Sequence, residues 1–292
     1  MDKQSINKTP ALYVVATPLG NLADITLRAI EHLRSVDAIA CEDTRHTRRL
    51  LDHYEIRAPL FALHEHNEAG AARKLIGLLD EGKSVALVAD AGTPGISDPG
   101  ARAVAAVRAA GYPVVPLPGA NAAIAALSAA GLADPHFLFV GFLPAKPTAR
   151  RQQITALRET LGAIPATLVF YEAPHRIVET IDDLAELLEP QRTLVVAREL
   201  TKLFEQIAGM PLAEAPAWLA ADPNRQRGEF VLLLSAAPPA EAHALPADIL
   251  RILRLLLAEL PLKQAVKLAA EIGGMPKNAL YDQALDWKNE KL

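Results

Sequence analysis

The sequence predicts an α/β fold with a largely parallel sheet, and two observations carry that prediction. Short apolar runs alternate with amphipathic stretches about ten to fifteen residues long, the pattern of βαβ units. Three of the apolar runs lead into Gly- and Pro-containing turns, TPLGN at 17–21, DAGTPGISDPG at 90–100 and PLPGAN at 116–121. With 292 residues, 51% of them hydrophobic, the chain is long enough for two cores and too apolar for disorder.

The first strand covers residues 12–16 and runs into the turn TPLGN at 17–21. Leu27, Ile30 and Leu33 then repeat at helical spacing over 26–35. A strand at 37–40 precedes a charged helix over 44–53, a strand near 59–63, a helix over 68–81 and a strand at 84–89. A helix over 99–110, a strand at 114–116 and an Ala-rich helix over 120–130 complete the first set. The second set has strands at 137–140, 167–171, 193–197 and 229–234, with helices at 148–161 and 175–188. The Ala/Pro-rich stretch 236–246 reads as a linker. Beyond it Leu262, Ala265, Val266, Ala269 and Ile272 mark a helix, Gly273 and Gly274 break it, and Pro276 opens another. That pair reads either as a helix-turn-helix or as a helical cap. The expected division is 1–132, 133–236 and 246–292.

Composition narrows the setting. No apolar run approaches the roughly eighteen residues of a membrane span. The polar start MDKQSINKTP has no apolar h-region, so no signal peptide is expected. A single cysteine, Cys41, rules out an internal disulfide framework and a multi-cysteine zinc site. A cytoplasmic location is expected. The net charge of −4 argues against coating naked nucleic acid, while leaving room for local basic patches.

The chemistry is expected at the strand ends. In open α/β sheets, ligands bind beyond the carboxyl ends of the strands. DAGTPGISDPG at 90–100 follows a strand there, with glycines that let a ligand approach the main chain and prolines that stiffen the loop. Asp98 before Pro99 reads as a helix N-cap, whereas Asp90 reads as functional. PLPGAN at 116–121 is a second such loop, in which Asn121 is either a helix cap or part of a carboxylate-binding helix start. TPLGN is the third. No phosphate-binding G-x-x-x-x-G-K-[ST] occurs. Arg45, Arg48 and Arg49 open a helix, where cations are unfavourable, and so suggest phosphate. His64 and His66 share a face only on a strand, and no metal site is expected. Lys146, Arg150 and Arg151 form a further basic patch, or a solvated helix face.

The motifs VATPLGNLADIT, CEDTRHTRRLL, ALHEHNE, VADAGTPGISDPG, PLPGANAAIAALSAAGL, GFLP, FYEAPHRI, ARELTK and RGEFVLLL follow one another over residues 11–235. In that order they resemble the tetrapyrrole methylase superfamily, and specifically its branch that modifies small-subunit ribosomal RNA. The tail PLKQAVKLAAEIGGMPKNALYDQAL resembles that branch's C-terminal appendage. The tetrapyrrole-modifying enzymes carry GDP where this chain has GTP at 92–94, which favours the RNA branch.

The resemblance implies two α/β domains with S-adenosylmethionine in the cleft between them, and a homodimer. It implies 2′-O-methylation of the cytidine at position 1402 of 16S ribosomal RNA in the small subunit. The implied cofactor contacts are Leu19, Asp90, Gly92, Thr93, Pro94, Ile96, Ser97, Gly119, Asn121, Ala122, Tyr171, Leu200 and Glu229. Asp43, Glu68 and a neutral Lys202 are the candidate bases, and Arg45 and Asn67 would orient the ribose or its phosphate. Arg48, Arg49, Lys146, Arg150 and Arg151 would face the RNA. Two other readings stay open: a small-molecule methyltransferase of the same superfamily, and a non-catalytic ribosome-binding module.

Overall fold

The computed structural model describes residues 10–64, 67–161, 164–238 and 246–289. Residues 1–236 form one compact unit and 237–292 another. In the first unit, strands β1 (Leu12–Val15), β2 (Ala38–Cys41), β3 (Leu60–Ala62), β4 (Val85–Val88) and β5 (Val114–Leu117) make a parallel sheet ordered β3-β2-β4-β1-β5.

Strand side chains alternate between two cores, as the period of two requires. Tyr13, Val15, Ile39, Cys41, Ala86 and Val88 meet helices α1 (Leu27–Ser35) and α2 (Thr44–His53) on one face. Leu12, Ala38, Ala40, Val85 and Leu87 meet α3 (Glu68–Asp80) and α4 (Ala101–Ala109) on the other. The segments after the neighbouring strands β1 and β4 therefore leave to opposite faces. That divergence opens a crevice at the carboxyl ends of the strands.

The second sheet differs from the expected parallel pattern. It comprises β6 (His136–Phe142), β7 (Ala166–Glu172), β8 (Thr193–Arg198), β9 (Gln206–Pro211) and β10 (Phe230–Leu234), ordered β6-β7-β10-β8-β9. Only β6 and β7 run parallel; β10 inserts antiparallel between β7 and β8, and β9 pairs antiparallel with β8. Helix α5 (Ala122–Ala129) packs on one face of this sheet, with Ala123 and Ala126 against Val169, Val195, Ala197, Val231 and Leu233. Helices α6 (Pro147–Leu161), α7 (Ile177–Leu187) and α8 (Ala215–Ala220) cover the other face.

Arg150 and Arg151 are corrected by this packing. Arg150 is buried, its Nε 2.6 Å from Asp183 and its Nη2 3.2 Å from Glu179 of α7. Arg151 bonds Asp183 at 2.7 Å and Glu186 at 2.6 Å. Their guanidinium groups neutralise carboxylates between two helices and do not face a polyanion.

The second unit contains α9 (Ala247–Glu259), α10 (Leu262–Gly273) and α11 (Lys277–Asn289), closed around Ile249, Leu253, Val266, Ala269, Leu280 and Ala284. Gly274 at φ 62° ends α10 in the left-handed cap that glycine favours. Most of the predicted linker lies outside the described residues. No helix of the described residues is long and apolar enough to cross a membrane.

Replacing Arg150 by Ala takes one of its two guanidinium partners from Asp183 and leaves the carboxylate to Arg151 alone. The expected loss is about 2 kcal/mol of unfolding free energy. Urea denaturation measures it, and a loss under about 1 kcal/mol would remove the buried-pair account.

Candidate functional site

Three strand-end loops are tied together above the first sheet. Thr17 exchanges backbone hydrogen bonds with Gly92 at 2.9 Å in both directions, and its hydroxyl donates to the carbonyl of Ala89 at 3.0 Å. Thr93 donates its hydroxyl to the carbonyl of Ala120 at 2.9 Å. Gly92, at φ 78°, supplies the left-handed turn that brings its peptide round to Thr17. Ser97 holds φ 64° without being glycine. It packs against the β6 bulge, where a Cβ on Gly141 (φ 73°) would come 3.3 Å from its Oγ.

The opposite wall comes from the second sheet. Tyr171, next to last in β7, stands edge-on to Phe139 and Phe142, and accepts the amide of Ala123 at 3.1 Å. The phenol thereby caps α5 alongside Asn121, which accepts the amide of Ile124. Beyond β8, Lys202 Nζ bridges Glu199 (2.9 Å) and Glu229 (2.8 Å), and Glu199 also accepts the amide of Glu229. Two glycines leave room for this ion pair: a Cβ on Gly20 would sit 2.3 Å from Lys202 Cγ, and one on Gly228 2.4 Å from Glu199 Cγ.

Between the walls lies a cavity of about 440 Å³. Ten of the expected cofactor contacts line it: Leu19, Gly92, Thr93, Ile96, Ser97, Asn121, Ala122, Tyr171, Leu200 and Glu229. Asp90, Pro94 and Gly119 do not. Asp90 accepts the amide of Asp43 at 3.0 Å, Pro94 faces a separate groove, and Gly119 packs on Ala16. The sequence reading missed Phe142, Glu172, His175 and Val231 in the lining. FYEAPHRI marked the place of Glu172 and His175 but not their direction.

Asp98 is the larger correction. It was expected to cap α4, but Gly100 occupies the N-cap position and Asp98 lines the cavity. Burial, and then the charges of Glu42 and Asp90, push its carboxyl up to about 7. The α4 amides are capped instead by Glu68, whose Oε1 accepts from Gly100, Arg102 and Ala103 at 3.1, 3.0 and 3.4 Å.

That geometry corrects the expected bases. Glu68 is buried under α4 and absent from the cavity lining. Asp43 caps α2, and hydrogen bonds from the Arg45 side chain and amide lower its carboxyl to about 2, too acidic to take a proton readily. Burial pulls the Lys202 ammonium down, but Glu229 and Glu199 outweigh it and hold it above the usual lysine range, so the amine stays charged. Asn67 bonds the amide of His64 and the carbonyl of Ala62, closing the β3–α3 turn. Arg48, Arg49 and Lys146 are exposed. His66 and Glu65 lie outside the described residues, and no metal-holding cluster occurs among those described.

The cavity suits a ligand that is flat and apolar in one part and positively charged in another. Leu19, Ile96, Phe142, Leu200 and Val231 supply the apolar surface, and Asp98, Glu172 and Glu229 the negative charge.

Residues 11–216 match the family Tetrapyrrole (Corrin/Porphyrin) Methylases, and 243–288 match the RsmI C-terminal HTH domain. Ribosomal RNA small subunit methyltransferase I of Escherichia coli O157:H7 is 54% identical over 96% of both chains. The Pseudomonas aeruginosa protein of the same name is 53% identical over 94% of this chain and 96% of its own. Among solved structures, a diphthine synthase superposes with TM-score 0.59 at 17% identity, covering 77% of this chain and 90% of its own. A Thermus thermophilus uroporphyrin-III C-methyltransferase complexed with S-adenyl homocysteine gives 0.53 at 18%, covering 77% and 97%. At such identities these two structures speak to fold alone.

The Glu68 cap yields a stability prediction. Glu68→Gln keeps an acceptor but removes the charge facing the α4 amides, and should cost about 1–2 kcal/mol. Equilibrium unfolding of the variant checks this; unchanged stability would remove the capping role.

Proposed function

Because this chain belongs to the tetrapyrrole (corrin/porphyrin) methylase family, we propose that it is an S-adenosylmethionine-dependent methyltransferase acting on small-subunit ribosomal RNA. The carrying observation is the 54% identity over nearly the whole of a relative named for that activity. The acceptor in this reading is the ribose 2′-hydroxyl of the cytidine at position 1402 of the 16S RNA. The setting is the cytoplasm, the RNA is presented within the small subunit, and the enzyme works as a homodimer.

The cavity residues fit the cofactor. The apolar wall suits an adenine ring, and the acidic groups suit a cation. Leu19, Gly92, Thr93, Ile96, Ser97, Asn121, Ala122, Tyr171 and Leu200 would hold it, with Asp98 and Glu229 offering carboxylates. When bound, it supplies a methyl group on a positively charged sulfur, ready for in-line transfer to oxygen with the C–S bond breaking as the C–O bond forms. Residues 1–132 provide one wall of this cradle, 133–236 the other, and 246–292 a helical appendage for the RNA or the partner subunit.

The chain's task is chiefly alignment, which is worth roughly 7–11 kcal/mol when donor and acceptor are held in line. The wall of Phe142, Tyr171 and Val231 excludes water from the donor side. Asp43 and Arg45, at the start of α2, orient the ribose and its phosphate. The Glu199–Lys202–Glu229 cluster holds the rim where the acceptor would enter, and the hydroxyl proton would leave to water as the C–O bond forms. Arg48, Arg49 and Lys146 meet the RNA backbone.

The test is transfer of label from S-adenosylmethionine to small subunits or free 16S RNA, with the site read by resistance of the 3′ phosphodiester to alkali. Label at that cytidine is the expected result. No label in either RNA, or label entering a porphyrinoid instead, would overturn the reading.

Asp98 sets a pH dependence. Below about 7 its carboxyl is largely neutral and offers a cation little; above, it is ionised and attracts one. Cofactor affinity measured by calorimetry should therefore rise about tenfold per unit as pH climbs towards 7, then level off, with proton release on binding near pH 6.5. Asp98→Asn should bind weakly and without that slope. A variant that keeps the wild-type profile would show the charge to be irrelevant.

A further inference from the structure

The first unit carries a second groove, between α3 and α4, of about 590 Å³. Asn67, Ala69, Gly70, Arg73, Ile76 and Arg102 are among its lining residues. We propose that this groove is a phosphate subsite for the RNA backbone, with Arg73 and Arg102 as its ligands. The proposal rests on the RNA reading above and deepens it.

The two arginines differ from their counterparts in the second half of the unit. Arg150, Arg151, Arg176 and Arg192 all bond carboxylates. Arg73 and Arg102 are exposed, and neither guanidinium has an ion pair among the described residues. They stand on different helices yet line one concavity, an arrangement that a single anion can bridge. Gly70 lies beside the Arg73 guanidinium, whose Nη2 is the nearest atom, at 4.0 Å, to a Cβ built there.

The groove's one carboxylate does not compete for these cations. Glu68 lines it too, but its Oε1 is held by three α4 amides. The same contact places the groove beside the catalytic cavity. Gly100, which Glu68 bonds, ends the loop whose residues Ile96, Ser97 and Asp98 line that cavity. A strand whose ribose enters the cavity can thus lay a nearby phosphate between α3 and α4.

Counterion release gives the measurement. Each phosphate contact contributes roughly 0.7–0.9 to the slope of log affinity against log salt. The Arg73→Gln/Arg102→Gln double variant, which loses one phosphate contact, should lose roughly 0.7–0.9 of that slope in filter binding to unmethylated small subunits. Its disadvantage against wild type should shrink about threefold between 50 and 200 mM KCl. KM for the subunit should rise, while kcat at saturating subunit and the affinity for S-adenosylmethionine stay within twofold. Arg73→Lys/Arg102→Lys should retain the slope. An unchanged slope in the Gln variant, beside a wild type that methylates the subunit, would overturn the subsite alone. A wild type that neither binds nor methylates the subunit overturns the RNA reading and the subsite with it.

Discussion

A loop that offers its backbone to a ligand cannot use that backbone to hold itself together. Residues 89–100 are such a loop, and most of the first unit's polar contacts near the cavity serve to fix it. Thr17 pairs with Gly92 and bonds Ala89; Thr93 reaches Ala120; Glu68 holds Gly100. Gly141, on a bulge of the other sheet, leaves just enough room for Ser97. A positive φ at a serine costs about 1–3 kcal/mol and persists only where neighbours over-determine it. Here the anchors come from four separate segments, so the loop's shape is set by its neighbours.

The second constraint is the coupling of the two sheets. Helix α5 leaves the first sheet but buries its apolar face on the second, and Tyr171 from the second sheet caps its start. Each wall of the cavity is thereby fixed to a common helix. The Glu199–Lys202–Glu229 cluster extends the same principle to the rim. Glu229 is largely exposed, so the pairing adds little to stability. Its effect is geometric, holding Leu200 and Glu229 in place while the lysine stem lies over Gly20.

The first sheet was legible because each of its elements is a local pattern: an apolar run, a turn, an amphipathic helix. The second was only partly so. Strand β9, QIAGMP, is a half-exposed edge carrying glycine and proline, and nothing in its periodicity marks it as a strand. The insertion of β10 between β7 and β8 is a long-range pairing, invisible to any window. The three-loop cleft was legible from strand ends, and most of its lining with it. The charged residues were not. Glu68 is defined by Gly100, Lys202 by Glu229 and Arg150 by Asp183, partners some thirty residues away along the chain. Asp98 misled in a different way: Asp-Pro has the composition of a cap, but the backbone turn at Gly100 (φ 126°) moves the helix start two residues on.

Charge distribution reconciles a net charge of −4 with a polyanionic substrate. What attracts phosphate is not the sum of cations but those left unpaired. In the second half of the unit, Arg150, Arg151 and Arg192 are consumed by carboxylates. In the first, Arg48, Arg49, Arg73 and Arg102 are exposed and without ion pairs among the described residues. The cavity meanwhile holds three carboxylates, the partly ionised Asp98, Glu172 paired with Arg176, and Glu229 paired with Lys202. Carboxylate oxygens thus line the place where a sulfonium would sit, and unpaired guanidinium groups stand on the helices outside. The same sorting keeps the two ligands apart. A phosphate drawn to the arginines is repelled by the acidic cavity, so the RNA backbone can lie along the outer helices without competing for the donor site.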